Sequence, residues 1–381
     1  MTAVSTRGPS TAGTGRTPRR PRELTVSDLL TLGASAVSAA CLNWLVFARF
    51  VDGIGWFAFL VSAYLTFLAI FAVATTDRLG RLVATDRVVT VVVISAGAVV
   101  LVALASLILF IVVLGAKALR LGFFTNDQSG ITPVMPSTAG GGSHAVVGTI
   151  QQVGLALVWS LPLSIGAAVF LNESRSNWRR PVRIFVDAMS GLPSIVAGLF
   201  IYAIFILPFA KSTTIFGYNG FMASLALALV MVPTITRTIE VVLRLVPDGL
   251  REASLALGAS RARTVWSVVF PTARTGMTTA IVLGIARAVG ETAPLIFTAF
   301  GYDLMNSNPF NGSQESLPLF TYRNIQKPDL TAVERGFAGA LVLMILVIAL
   351  FGAARWIGRD RSRRSSRSSP LARLRLKESS R

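Results

Sequence analysis

Eight apolar runs leave this 381-residue chain one class of architecture. They lie at about 29–50, 54–74, 88–114, 146–171, 184–208, 221–236, 278–300 and 336–354. At 1.5 Å of rise per residue, about 20 apolar residues cross a hydrocarbon core of ~30 Å. Inside that core every backbone N–H and C=O must be satisfied within the segment, which selects helices. The expected fold class is therefore an all-α polytopic membrane protein with about eight transmembrane helices. The sixth run is the shortest and contains Pro233, so its end stays open between 236 and Leu245.

The charges fit that reading. Hydrophobic residues make up 53% of the chain and charged residues only 14%, yet the formal net charge is +18. Such a charge would suit a nucleic-acid partner if it were clustered on a soluble surface. Here the bases sit in short loops and tails between apolar runs. With the N-terminus in the cytoplasm, 28 of the 36 Lys and Arg fall inside, seven fall outside and Arg287 lies within a run. This bias is the one expected for a multi-pass protein of the bacterial inner membrane with both termini cytoplasmic. The basic segments 1–28 and 355–381 are expected to be disordered, the second against anionic lipid heads, with no nucleic acid involved. One cysteine (Cys41) and one histidine (His144) exclude an internal disulfide and a His-rich metal site. None of the four lysines stands in a Gly-Lys-Ser/Thr phosphate loop. No catalytic residue, metal or cofactor is expected on this chain; ATP and Mg would be bound by a partner.

Two polar stretches interrupt the last third. In the first, Asp248 is expected to cap a short helix that Gly258 ends in a left-handed turn. Ser260 would cap a second helix and Pro271 would close it. The spacing Glu252-Ala253-Ser254, Gly258, Val268-x-Phe270-Pro271 resembles the EAA loop of ABC importer permeases, with Ser254, Val268 and Phe270 as departures. The resemblance implies a helix that docks on an ATPase through Glu252, Ala253, Gly258 and Pro271. The plain alternative is an ordinary loop between membrane helices.

The second stretch is Arg287-Ala-Val-Gly290-Glu291-Thr292-Ala-Pro294, which resembles phosphate ABC transporter permeases of the PstA type more than their PstC partners. Arg287 lies near the middle of the run 278–300, where an unpaired charge costs about 2.5–3.5 kcal/mol. Glu291, four residues on, is expected on the same helix face. Breaking such a buried pair would cost about 3–5 kcal/mol. Arg287, Glu291 and Thr292 are the expected substrate path. Gly191-Leu-Pro193-Ser194-Ile-Val-Ala-Gly198 resembles another segment of the same permeases, and Gly191, Pro193, Ser194 and Gly198 are expected to pack helices in the core.

Further matches at His144–Thr149, Leu161–Leu163 and Leu171–Glu173 extend the resemblance over 88–354. It implies a type I ABC importer permease core of about six helices, with 29–87 as an extra N-terminal pair. It also implies partners: a homologous PstC-type permease, two PstB-type ATPase subunits, a PstS-type extracytoplasmic phosphate-binding protein and the lipid bilayer. The outward loops 117–142 and 301–335 are expected to meet the binding protein. A permease for molybdate or sulfate is the nearest alternative. A proton-coupled secondary transporter could use an Arg/Glu relay, but the loop at Glu252 would then have no purpose.

Overall fold

The computed structural model describes residues 26–50, 55–209 and 215–359; most of the two basic tails lies outside these. Among the described residues all regular structure is helical, apart from one isolated bridge between Phe300 and Gln314. We number the helices α1 Val26–Phe50, α2 Trp56–Leu79, α3 Arg81–Ala118, α4 Leu121–Thr125, α5 Ser143–Glu173, α6 Arg179–Ser190 and α7 Ser194–Phe209. They continue as α8 Gly220–Arg244, α9 Asp248–Ala256, α10 Arg261–Val289, α11 Ala293–Thr298, α12 Leu317–Ile325 and α13 Leu330–Arg359. Seven of these are long and apolar enough to cross a membrane, or eight if α6 and α7 count as one bent span. The chain is a multi-pass membrane protein.

Its contacts divide it into two units, residues 1–106 and 107–381, with the boundary inside α3. In the first unit α1 and α2 form a hairpin. Buried Asn43 accepts a 2.9 Å hydrogen bond from Ser62, and Phe47 meets Phe59 edge to face. Asp28 and Arg87 form a 2.8 Å ion pair.

In the second unit α8 is the central helix. Leu227, Met231, Ile235, Ile239 and Leu243 recur every fourth residue, are at most 1% exposed, and form one stripe against α5 and α10. Polar bonds join α5 to α8 within the apolar layer: Ser164 donates to the Val232 carbonyl at 3.3 Å, and Thr236 to the Ser164 carbonyl at 3.4 Å. Pro233 does not end α8, which runs on to Arg244.

Three expectations change. The run 184–208 is not one straight span: α6 and α7 meet at 104° across Gly191-Leu192-Pro193. Proline lacks the N–H a helix needs and disfavours helix in the residue before it, so the break falls there. Pro271 does not close a helix either. α10 passes through it, and a π-helical turn at Val265–Val269 gives the widened backbone that a proline ring requires. Finally, the run 278–300 breaks at Gly290. Arg287 therefore sits in the last turn of α10, not mid-span, and Glu291 lies beyond the helix end.

Candidate functional site

α7, α8 and α10 enclose an apolar cavity of about 390 Å³ with α6 at one end. Phe185, Met189, Val196, Phe200 and Leu229 form much of its wall; Ser190, Thr234 and Arg287 bring polar groups into it. Among the described residues Arg287 is the one charged side chain lining it. Its Nη1 donates to Thr234 Oγ1 at 3.4 Å, and its Nε lies 3.7 Å from Glu291 Oε1. The Arg287 side chain is 53% exposed and that of Glu291 16%.

Local backbone explains the pairing. α10 ends at Gly290, and the Glu291 N–H donates to the Ala288 carbonyl at 3.2 Å, a tight turn that folds the carboxylate back toward Arg287. Thr292 then begins α11, and its carbonyl accepts from Leu295 and Ile296. Gly198 of α7 fixes the position of α11: a Cβ there would stand 2.6 Å from Pro294 Cα, so only glycine permits this approach. Of the other positions read from the same stretch, Ser194 is half-buried at the start of α7, whereas Gly191 and Pro193 lie exposed in the break.

A guanidinium in such a wall offers a planar fork of donors to an oxyanion, and its half-exposed position leaves those donors within reach of one. Thr234 was not legible as part of this group; only its position beside Pro233 in an otherwise apolar run hinted at it.

A second polar centre lies at the α9 end of α8. Glu240, 2% exposed, accepts from Arg183 at 2.6 Å, Arg237 at 2.7 Å and Arg244 at 2.5 Å, and Arg237 also pairs with Asp187. This network ties α6 to α8. Its signal in the sequence was an acid with arginines at i−3 and i+4.

α9 has no buried residue, and Glu252 and Ala253 face solvent beside Leu250, Leu255 and Leu257. Gly258 adopts φ +84°, the left-handed turn expected of it, and the Ser260 hydroxyl caps α10 by accepting from the Arg263 N–H. Asp248 is not a cap: Pro247 holds that position, and the Asp248 carboxylate takes a 2.9 Å bond from Arg251 instead.

At the opposite end the segment between α11 and α12 folds onto α5. Gln152 donates to the Gln314 side chain and the Glu315 carbonyl, both at 3.2 Å. Burial pushes the Glu315 carboxyl up to about 7, against the pull of Arg323 at 2.6 Å.

Residues 160–363 match the family described as binding-protein-dependent transport system inner membrane component. The phosphate transport system permease protein PstA of Mycobacterium leprae is 40% identical over 62% of this chain and 76% of its own length. The protein of that name from Pasteurella multocida is 33% identical over 62% of this chain and 81% of its own length. A solved structure of the methionine ABC transporter MetNI aligns with 57% of this chain and 92% of its own chain, at 21% identity and a TM-score of 0.44. The chain belongs to the binding-protein-dependent transport inner membrane components, among the PstA-type phosphate permeases.

Proposed function

We propose that this chain is one permease subunit of an ATP-driven importer that carries inorganic phosphate across the bacterial inner membrane. The observation that carries the reading is the Arg287 guanidinium in the cavity wall. Arg287 is half exposed, is held by a 3.4 Å hydrogen bond and a 3.7 Å ion pair, and so stays available to a phosphate oxygen. Glu291 takes Arg287 back when the anion leaves, and Thr292 completes the path. Family membership and the PstA-named relatives support phosphate over molybdate or sulfate.

The chain itself performs no covalent chemistry and binds no cofactor. α9 and the turn at Gly258 dock on a separate ATPase that holds ATP and Mg, through Glu252, Ala253, Gly258 and the base of α10 near Pro271. A PstC-type permease closes the other side of the cavity, two PstB-type subunits hydrolyse ATP, and a PstS-type protein delivers phosphate. Residues 88–354 form the permease core, 29–87 an added helix pair, and both termini are cytoplasmic. The test is phosphate uptake by the assembled complex in proteoliposomes. Uptake that requires hydrolysable ATP supports the reading; uptake driven by a proton gradient alone overturns it.

A further inference from the structure

α9 is a helix with no core of its own. None of its residues is buried, and its covalent links are the turn 245–247 and the glycine turn at Gly258. Two side-chain ties hold it.

The first is Arg251. Its Nη2 donates to the Leu243 carbonyl at 2.8 Å and its Nη1 to the Val246 carbonyl at 2.7 Å. The last carbonyls of a helix carry its negative dipole end, so this guanidinium adds a charged donor to the Leu243 carbonyl, which also accepts from the Val246 N–H, and caps α8 from α9. The same group reaches Glu173 Oε1, at the end of α5, at 3.2 Å, and Asp248 at 2.9 Å. Asn172 Nδ2 donates to the same Glu173 oxygen at 2.8 Å and steadies it. Arg251 is 14% exposed, unusually low for a residue on an otherwise open helix. One guanidinium thus locks the ends of α5 and α8 to the first turn of α9.

The second tie is Ser254, where the EAA spacing has its departure from alanine. Its hydroxyl lies 2.9 Å from the Thr264 hydroxyl, in the first turn of α10. The two ties lead to different helices. α8 carries Thr234 and α10 carries Arg287, the two side chains that meet in the cavity.

We infer that Arg251 and Ser254 are positioning residues that transmit a displacement of α9 to the two sides of the Thr234–Arg287 contact, Arg251 through α8 and Ser254 through α10. The inference rests on reading α9 as the ATPase-docking helix. With both ties in place α9 moves the two helices as one device. With either lost, α9 moves and one side of the cavity does not follow.

The experiment compares phosphate taken up per ATP hydrolysed in assembled complexes carrying Arg251→Gln, Arg251→Lys, Ser254→Ala or Thr264→Val. Arg251→Gln lowers the ratio on the order of tenfold, the scale of one charge-assisted hydrogen bond. Arg251→Lys falls between, because an ammonium cannot serve acceptors on three elements at once. Ser254→Ala and Thr264→Val lower it equally, and the double variant no further, since both remove one bond. A merely structural role would reduce yield but leave the ratio of surviving complexes unchanged, and that result overturns the inference.

A second readout does not depend on the substrate. Spin labels go on exposed positions, Val241 of α8 and Leu250 of α9, in a Cys41→Ser background. Their distance distribution in the complex is narrow in the parent and broad in Arg251→Gln. A parent complex without ATP-driven phosphate uptake would overturn the functional reading, while this distance measurement still decides the inference. An unbroadened distribution in Arg251→Gln sinks it.

Discussion

Arg287→Met separates a transport residue from a structural one through opposite effects on stability and uptake. At the middle of a span a guanidinium costs about 2.5–3.5 kcal/mol on insertion scales, and Arg287, half exposed in the last turn of α10, costs less than that. What offsets it here is small: a long 3.4 Å hydrogen bond to Thr234 and an ion pair at 3.7 Å. The Arg287 side chain is 53% exposed, so that pair is screened and stabilises by at most about 1 kcal/mol. The 3–5 kcal/mol expected of a fully buried pair therefore does not apply. Arg287 still leaves the fold less stable than an apolar residue would, by less than the mid-span cost. Arg287→Met should raise the melting temperature of the purified complex by a few degrees at most, about 2–4 °C per kcal/mol being the scale for a smaller protein, as expected where a functional site is held at a cost in stability. The same variant should lose ATP-dependent phosphate uptake in proteoliposomes. Arg287→Lys keeps the charge but not the fork and should lower uptake by about 10–100-fold, the scale of one to two charged hydrogen bonds. Exchanging Arg287 and Glu291 should not restore uptake. It moves the positive charge about one helical turn, ~5.4 Å, and onto a turn outside α10. The reasoning is refuted if Arg287→Met lowers the melting temperature and keeps parental uptake, or if the exchanged protein transports normally.

Gly258→Val should release or uncouple the ATPase while the permease still inserts. A Cβ there meets nothing within 4 Å, so the whole effect is backbone strain at φ +84°, and Gly258→Asn should be far milder, as co-purification of the ATPase subunit would show. Glu315 sets a pH dependence. Its folded value of about 7 exceeds the ordinary value of 4.5, so the folded state keeps a proton that the unfolded chain gives up. Stability should thus fall as pH rises from about 4.5 to about 7, and Glu315→Gln should flatten that slope in melting curves. Reporter fusions after Arg120 and Arg323 should read as external, and fusions after Arg87, Arg180 and Arg263 as internal; an external reading at Arg263 would remove α9 from the ATPase side.

The membrane helices and both polar stretches were legible because hydrophobic length and residue spacing are local properties. The turn at Gly258 and the cap at Ser260 follow from one residue each. What escaped depended on neighbours distant in sequence. Pro271 looked like a stop because the π turn before it leaves no compositional mark. Arg287 looked central because an apolar run does not show where its helix ends, and Gly290 ends it inside the run. Thr234 gains meaning only when α8 is laid beside α10. Arg251 is an ordinary helix arginine until three chain segments converge on it.

α3 has a consequence for the lipid around it. Its 38 residues form one unbroken helix, about 57 Å long at 1.5 Å per residue. The apolar part from Val88 onward alone exceeds a ~30 Å hydrocarbon core. None of its most apolar stretch is buried against protein. Mismatch of that size must be absorbed by a lean of the helix, by local thickening of the bilayer, or by both. A thin bilayer would force the steepest lean, so lipid chain length becomes a mechanical variable for this protein.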